Sequence, residues 1–423
     1  MLYVILDPCV EYAAEMMVFV ARHGLEPICV FTQAGLYGAF KGYWSDRIGV
    51  PVRDEYLMPE WPSMEALGAQ IRRDHPGEIH GIIPWDEMST FTGALLSQAM
   101  GLDWNPPEVM RCFRNKFAMK DALRRSGGVR INQSRVVEDL EQVREFQEVL
   151  GKWPVVVKPT EGAGSRGVVF AQNLQELSQA AIDVFHATQA SGEGQVLLEE
   201  FLEGPEFVVN GITDGAGELL ATDVWLYDKR DFGSRRNLYV HTEKISTTDP
   251  RWGLLDDYAT QVVRALGLRR APVHMEVKLD DQGPCLVEVG ARFAGGNQPR
   301  LSSELHGRSL FELAACHYLS DTPLRYEDVN YHNYDSRQAR IVSGVQLDGI
   351  EVIHAVYGVN EVSQLPSFYD FGFTRPVGAP CPATVDLLTK AYEVYLIHED
   401  PEVLERDSQL VREWLQYEGA PLT

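Results

Sequence analysis

The chain has 423 residues, 45% of them hydrophobic and 23% charged, which is enough for more than one lobe with a buried core. Its 61 acidic and 38 basic residues give a formal net charge of −23, which argues against a nucleic-acid partner and against docking on an anionic membrane. The N-terminus meets Asp7 almost at once and predicts a first strand, not a signal peptide. No apolar run reaches the roughly 18 residues that span a bilayer, and six scattered cysteines predict reduced thiols, so we expect a cytoplasmic protein.

Residues 1–105 alternate strand and helix patterns, which predicts a small open α/β lobe with a parallel sheet. The continuous apolar run at 2–6 is typical of a buried parallel strand. No G-x-G-x-x-G turn follows that strand, so we assign this lobe no dinucleotide.

Residues 106–203 begin with a predicted helix at 107–126 and continue as a second α/β unit. Two of its predicted strands, at 154–158 and 168–170, enclose a glycine-rich loop at 161–167. Glycines in such a loop let backbone N–H groups approach phosphate oxygens, and Lys158 at the strand end adds a positive charge. Taken alone, the loop is equally compatible with a simple flexible hairpin.

Residues 204–330 hold long predicted strands, and residues 331–423 end in an amphipathic helix at about 401–417. The charged segment 227–236 predicts a mobile loop, either a plain surface loop or a lid that contacts substrate. The last segment carries no chemical motif, and we expect it to cap the larger lobe or to support oligomerisation, with a homodimer as one possibility.

The stretch 272–300 contains two short apolar strands joined by a tight turn, each with one carboxylate, Glu276 and Glu288. Because both glutamates lie among apolar neighbours, the pair needs a counter-charge that a metal ion can supply. Arg292 and a glycine loop follow, a combination that suits Mg²⁺ and a transferring phosphoryl group. A surface hairpin with acidic sides is the alternative interpretation.

Four motifs in order resemble the ATP-grasp superfamily: Lys116, Lys158 with its glycine-serine loop, Glu199-Glu-Phe-Leu-x-Gly-Pro-Glu206, and Glu276…Glu288-x-x-x-Arg292. The Arg-Phe-Ala-Gly-Gly sequence at 292–296 is similar to that of carboxylate–amine ligases of the L-amino-acid ligase branch, the bacilysin synthetase type. The resemblance implies an α/β fold of four parts. These are an N-terminal preATP-grasp α/β domain (1–105), a linker helix and lid subdomain (106–203), a catalytic subdomain with a large antiparallel nucleotide-binding sheet (204–330), and a C-terminal subdomain packed on it (331–423).

The resemblance also implies roles for individual residues. Arg292 would stabilise the phosphorylated intermediate, and with Lys158 and Glu288 it forms the implied catalytic set. Glu276 and Glu288 would bind Mg²⁺, two ions being expected and Mn²⁺ a possible substitute. The residues implied to hold ATP are Lys116, Lys158, Gly162, Gly164, Ser165, Gly167, Glu199, Leu202 and Glu206. Candidate contacts for the substrates, a small carboxylate and an amine, are Glu87, His274, Gly295, Gly296, Asn297 and Arg300.

One departure from the family pattern concerns the metal. Many relatives carry Asn two residues after the second metal glutamate, where this chain has Gly290. Phosphate or water would then have to supply more of the ligands.

The reaction implied by the resemblance is ATP-dependent amide formation through an acyl phosphate, which yields ADP and phosphate. Two alternatives stay open. One is another ATP-grasp ligase, such as a biotin-dependent carboxylase, although the chain has no Met-Lys-Met biotinylation site, or a purine-biosynthesis enzyme. The other is a nucleotide-binding protein without catalysis.

Overall fold

The structure, a computed structural model, describes residues 1–9, 11–77, 79–162, 164, 167–192, 194–233, 235–319, 322, 324 and 328–421. In that part of the chain four β-sheets account for all the named strands. No helix among the described residues is long and apolar enough to cross a membrane.

The first sheet is parallel, with strand order β3-β2-β1-β4, as the alternating pattern of residues 1–105 predicts. Its central strand β1 is covered on both faces, which explains its uninterrupted apolar sequence. The elements of this lobe are β1 (Leu2–Leu6), α1 (Glu11–Arg22), β2 (Glu26–Phe31), α2 (Ala34–Phe40), a π-helical turn (Trp44–Ile48), β3 (Asp54–Leu57), a 3₁₀ turn (Met58–Glu60), α3 (Met64–Asp74), β4 (Ile79–Pro84) and α4 (Ser89–Met100).

The helix predicted over 107–126 is two helices, α5 (Pro107–Cys112) and α6 (Lys116–Ser126). The side-chain oxygen of Asn115 accepts hydrogen bonds from the backbone N–H groups of Phe117 and Ala118 at 3.1 and 3.0 Å, so Asn115 begins a new helix. The prediction of one helix was wrong because the apolar pattern continues through this cap.

The next lobe has an antiparallel sheet, order β5-β8-β6-β7, with two helices and a separate hydrophobic core. Its elements are β5 (Ser134–Val137), α7 (Leu140–Leu150), β6 (Val155–Pro159), β7 (Val169–Ala171), α8 (Leu174–Ser191) and β8 (Val196–Glu200). The glycine loop therefore connects β6 to β7, as predicted from the sequence.

The largest sheet has eight antiparallel strands in the order β13-β12-β9-β10-β11-β14-β17-β16. Its core is continuous with that of the first lobe. The elements from here to the C-terminus are β9 (Glu206–Thr213), β10 (Leu219–Phe232), β11 (Arg235–Ile245), α9 (Pro250–Leu266), β12 (Pro272–Asp280), β13 (Gly283–Gly290), α10 (Gln298–His306), α11 (Leu310–Tyr318), α12 (Tyr331–Ser336), β14 (Gln338–Ser343), β15 (Ile350–Tyr357), α13 (Val359–Val362), β16 (Phe368–Thr374), a 3₁₀ turn (Leu387–Thr389), β17 (Tyr392–His398), α14 (Pro401–Trp414) and β18 (Gln416–Pro421).

The charged segment 227–236 is not the predicted loop. Strand β10 continues to Phe232 and pairs with β11, for example Lys229 with Tyr239. Charged side chains are tolerated here because the strands alternate their faces and because Lys229 finds a carboxylate partner, Glu206. The prediction failed because charge in the sequence does not reveal such a partner.

The C-terminal residues 331–421 extend the large sheet through β14, β17 and β16, and β15 pairs with β18 in a sheet of two strands. Their side chains pack in a third hydrophobic cluster. The division of the chain into four parts stays a prediction.

Candidate active site

The two glutamates predicted to bind metal face each other across the β12–β13 hairpin, where Glu276 and Glu288 are register partners. Burial and the nearby Glu288 and Glu206 carboxylates raise the pKa of Glu276 to about 8. Glu276 thus lacks sufficient positive charge around it, and a bound cation would favour its ionised form. Two oxygen-donor side chains fit Mg²⁺, which takes one or two carboxylates and completes its shell with phosphates and water. No cluster of three or more potential ligands occurs among the described residues.

Lys116 connects the hairpin to the glycine loop. Its Nζ lies 3.1 Å from Glu288 Oε2 and donates a hydrogen bond of 2.9 Å to the carbonyl oxygen of Gly162. Burial opposes ionisation of Glu288, but Lys116 and Lys158 together lower its pKa to about 2. Gly162, Gly164 and Gly167 have φ values of 145°, 70° and 74°, which L side chains rarely adopt. Ser165, predicted to contact phosphate, lies outside the described residues.

Glu199 lies between two lysines in the wall of the cavity. Its carboxylate oxygens are 2.9 Å from Lys158 Nζ and 2.9 Å from Lys120 Nζ, and Lys120 is fully buried. Although burial acts in the opposite direction, the two lysines lower the pKa of Glu199 to about 2. Both Glu199 oxygens face lysines, and of these two lysines Lys158 lines the cavity.

We predict that Lys120→Met lowers the free energy of unfolding by about 2–4 kcal/mol, because the buried Glu199 loses one of its two counter-charges. Urea unfolding at neutral pH measures the effect. The adjacent pair of Lys152 and Glu200 is the matched control, since the Lys152 side chain is 55% exposed. Lys152→Met should cost less than about 1 kcal/mol. Equal losses in the two variants would contradict a structural role for the buried pair.

Glu206, implied by the resemblance to hold ATP, forms ion pairs with Lys229 and, at 3.4 Å, with Lys278. The two lysines outweigh burial and lower its pKa, so the carboxylate is ionised. Lys229 Nζ also lies 4.3 Å from the centroid of the Tyr239 ring, a cation–π distance. Leu202 is buried and lines the same cavity.

Arg292 is anchored by Glu87 from the first lobe. Its Nε lies 2.6 Å from Glu87 Oε2, and Glu87 Oε1 lies 3.4 Å from Arg114. A Cβ added at Gly290 would lie 3.2 Å from Glu87 Oε2. The glycine in place of the family's asparagine therefore leaves space that the Glu87–Arg292 pair occupies.

The other predicted substrate contacts differ in position. His274 lines the cavity, its Nδ1 lies 2.8 Å from Asn210 Oδ1, and burial together with Arg292 lowers its pKa to about 3. Gly295 has open space where a side chain would be, and Gly296 also lines the cavity. Asn297 instead donates its side-chain amide to Asp370 at 3.0 Å, and Arg300 pairs with Glu15 at 2.9 Å. Those two side chains serve contacts between lobes.

One cavity of about 450 Å³ joins these groups. Its walls include residues from the sheet that contains β6 and β8, from the large sheet and from the C-terminal strands. The predicted site residues that line it are Lys116, Lys158, Gly162, Gly164, Glu199, Leu202, Glu206, His274, Glu276, Glu288, Arg292, Gly295 and Gly296. Glu87 lines a smaller adjoining pocket with His274, Glu288 and Arg292.

Sequence reasoning missed several charged residues at the site: Lys120, Arg114, Lys229, Lys278, Lys390 and Glu393. One signal was available for Lys120, which follows Lys116 by one helical turn on an otherwise apolar face. Another was the alternation of strand β10, which places Lys229 on the same face as Tyr227. The residues from β17 and the loop before it had no motif to mark them.

Comparison with known proteins agrees with this geometry. Residues 151–299 match the family model of the ATP-grasp domain. Dapdiamide A synthase of Enterobacter agglomerans is 27% identical over 374 residues, which cover 83% of this chain and 82% of that protein.

Solved structures give the same fold. An L-amino acid ligase from Bacillus licheniformis superposes with a TM-score of 0.77 at 19% identity, covering 99% of this chain and 98% of that one. The biotin carboxylase domain of 2-oxoglutarate carboxylase from Hydrogenobacter thermophilus, solved with MgADP, gives a TM-score of 0.66 at 15% identity. The superposition covers 99% of this chain and 90% of that one. The predicted fold class is confirmed: the chain has the ATP-grasp fold, residues 151–299 match the ATP-grasp domain family, and the chain resembles the ATP-dependent carboxylate–amine ligases.

Proposed function

We propose that this ATP-grasp ligase joins the carboxylate of an amino acid or related acid to the amine of a second small molecule. In the first step a carboxylate oxygen attacks the γ-phosphorus of ATP, so that an acyl phosphate forms and ADP leaves. In the second step the amine nitrogen attacks the acyl carbon. The C–O bond to phosphate breaks, phosphate leaves, and the nitrogen loses a proton to give the amide.

The observation that carries this proposal is the position of Arg292. It shares one cavity with the Glu276–Glu288 pair and with the lysines Lys116 and Lys158. The cations stabilise negative charge on the transferring phosphoryl group, and Arg292 stabilises charge on the acyl phosphate. Bound Mg²⁺ would supply further positive charge at Glu276 and Glu288.

Glu87 and His274 remain our candidates for orienting the acid substrate. Glu87 would pair with an amino group of that substrate while its contacts to Arg292 and Arg114 hold it in place. The side-chain amide nitrogen of Asn210 donates a hydrogen bond of 2.6 Å to Asp223. The side-chain oxygen of Asn210 therefore accepts the hydrogen bond from His274 Nδ1. That arrangement leaves the other ring nitrogen of His274 as an acceptor.

ATP and Mg²⁺ are the cofactors of the fold, and we propose two metal ions, with Mn²⁺ as a substitute. The partners of the protein are its small-molecule substrates. We also propose that it forms a homodimer and that it is cytoplasmic. Each of the six cysteines is a free thiol, as a reducing compartment requires.

The test is release of ADP and phosphate by the purified protein with ATP, MgCl₂ and pairs of the proteinogenic L-amino acids. We expect turnover that depends on amino acid and a dipeptide detectable by mass spectrometry. Carboxylation of biotin with bicarbonate would instead support the carboxylase alternative. ATP binding without turnover in any arm would support a nucleotide-binding protein without catalysis.

Removal of divalent metal gives a further prediction. With excess EDTA, turnover should fall below about 1% of the starting rate, because a divalent cation would supply positive charge to the transferring phosphoryl group and to the Glu276–Glu288 pair. Adding MgCl₂ back should restore the rate, and MnCl₂ should restore part of it. A rate unchanged by EDTA would contradict the assignment of the two glutamates.

A further inference from the structure

A second cluster of polar groups lines the cavity on the side of the C-terminal segment. Lys390 and Glu393 form a buried ion pair, with side chains only 9% and 12% exposed. Tyr395 donates its hydroxyl hydrogen to the other Glu393 oxygen at 2.6 Å. Both oxygens of Glu393 are therefore engaged, while its negative charge holds the Lys390 ammonium against the cavity.

The cluster packs against the loop that follows Arg292. The backbone N–H of Asn297 donates to the Tyr395 hydroxyl at 2.8 Å. A Cβ added at Gly296 would lie 2.7 Å from that hydroxyl and 2.9 Å from Glu393 Oε2, closer than real contacts allow. The absence of a side chain at Gly296 lets β17 approach the loop, so the cluster borders the same space as Arg292.

Lys390 of this cluster and nearby Gln298 have donor hydrogens without a partner among the described residues. The Lys390 ammonium has three hydrogens, and Glu393 is its one hydrogen-bond partner among the described residues. Gln298 lines the cavity and is only 5% exposed, yet its Nε2 has no partner in the described part of the chain. A buried amide donor without a partner costs free energy, which a bound acceptor would recover. The spare hydrogens can bind an acceptor from a ligand, and a carboxylate on the amine substrate would form a charge-assisted hydrogen bond with Lys390.

We propose that Lys390 and Gln298 bind the carboxylate of the amino acid that supplies the amine. This inference rests on the proposed ligase function and names residues that hold the substrate of its second step. Glu87 of the first lobe and Arg114, which lies between α5 and α6, line a pocket with Arg292, and the Lys390 cluster comes from the C-terminal segment. The acyl phosphate at Arg292 then has the acid on one side and the amine on the other.

The test uses the amino-acid pair that the wild-type protein turns over fastest and offers its amine member as the free acid and as the α-amide. In Lys390→Met, KM for the free acid should rise about 10- to 100-fold, the range for a lost hydrogen bond to a charged group, while KM for the amide should stay within about twofold. Hydroxylamine replaces the amine in a third arm. It traps the acyl phosphate as a hydroxamate, and that rate should change by less than about twofold because the first step does not use the cluster.

Two further variants separate a loss of carboxylate binding from misfolding. Gln298→Glu places a negative charge at position 298 and should raise KM for the free acid more than KM for the amide. Lys244→Met removes a buried lysine of the same sheet that pairs with Asp335 outside the cavity, and it should leave the preference for acid over amide unchanged. Equal losses for acid and amide in Lys390→Met and Gln298→Glu would overturn the inference. If the wild-type protein forms neither product nor hydroxamate, the ligase function itself fails.

Discussion

Glu288→Ala should reduce the rate of amide formation by about a thousandfold or more, the largest effect that we expect from one substitution. The variant loses one of the two carboxylates that we propose bind the metal and also the partner of Lys116, whose Nζ lies 3.1 Å away. Lys116 would then no longer be held between the hairpin and Gly162. Phosphate release under saturating ATP and amino acids measures the change.

The hairpin itself supplies the control for this experiment. Asp281→Ala removes an exposed acidic residue from the turn between the same two strands and should leave the rate unchanged. Circular dichroism should show both variants folded, since Glu288 is partly exposed and its loss opens no large cavity. Near-normal phosphate release by folded Glu288→Ala would rule out the assignment of this residue.

Arg292→Met should lower kcat by about a hundred- to a thousandfold while KM for ATP stays nearly constant. We propose that the guanidinium acts on charge that develops at the acyl phosphate, and the ion pair of Lys158 with Glu199, two residues proposed to hold ATP, remains in place. Steady-state kinetics with ATP varied at saturating amino acids separates the two constants.

A surface arginine gives the matched control for Arg292→Met. The Arg269 side chain is 39% exposed and pairs with Asp103 at 3.4 Å, so Arg269→Met should leave kcat unchanged. A loss in KM for ATP with normal kcat in Arg292→Met would assign the arginine to nucleotide binding instead.

The sequence predicted the parts of the site that local chemistry specifies. Two carboxylates on a tight hairpin and glycines in a strand–strand loop have spacings that already determine their geometry. The partners of these groups could not be predicted, because they come from distant segments. Glu87, which lies 205 residues from Arg292 in the chain, is an example. Charged residues such as Lys229 and Lys120 were misjudged or missed because their burial depends on a counter-ion that only the fold supplies.

The continuity of the large sheet has a consequence for exchanging segments between relatives. Strand β14 joins β11 through three register pairs, the last of which places Glu243 opposite Arg340. A chimera with its crossover in the loop before β14 would take the Lys390 region from another parent. Its β11 and β14 would then come from different parents and would have to form these three register pairs anew. Transfer of amine preference should thus succeed only when β11 and β14 come from the same parent, so the two strands should be exchanged together.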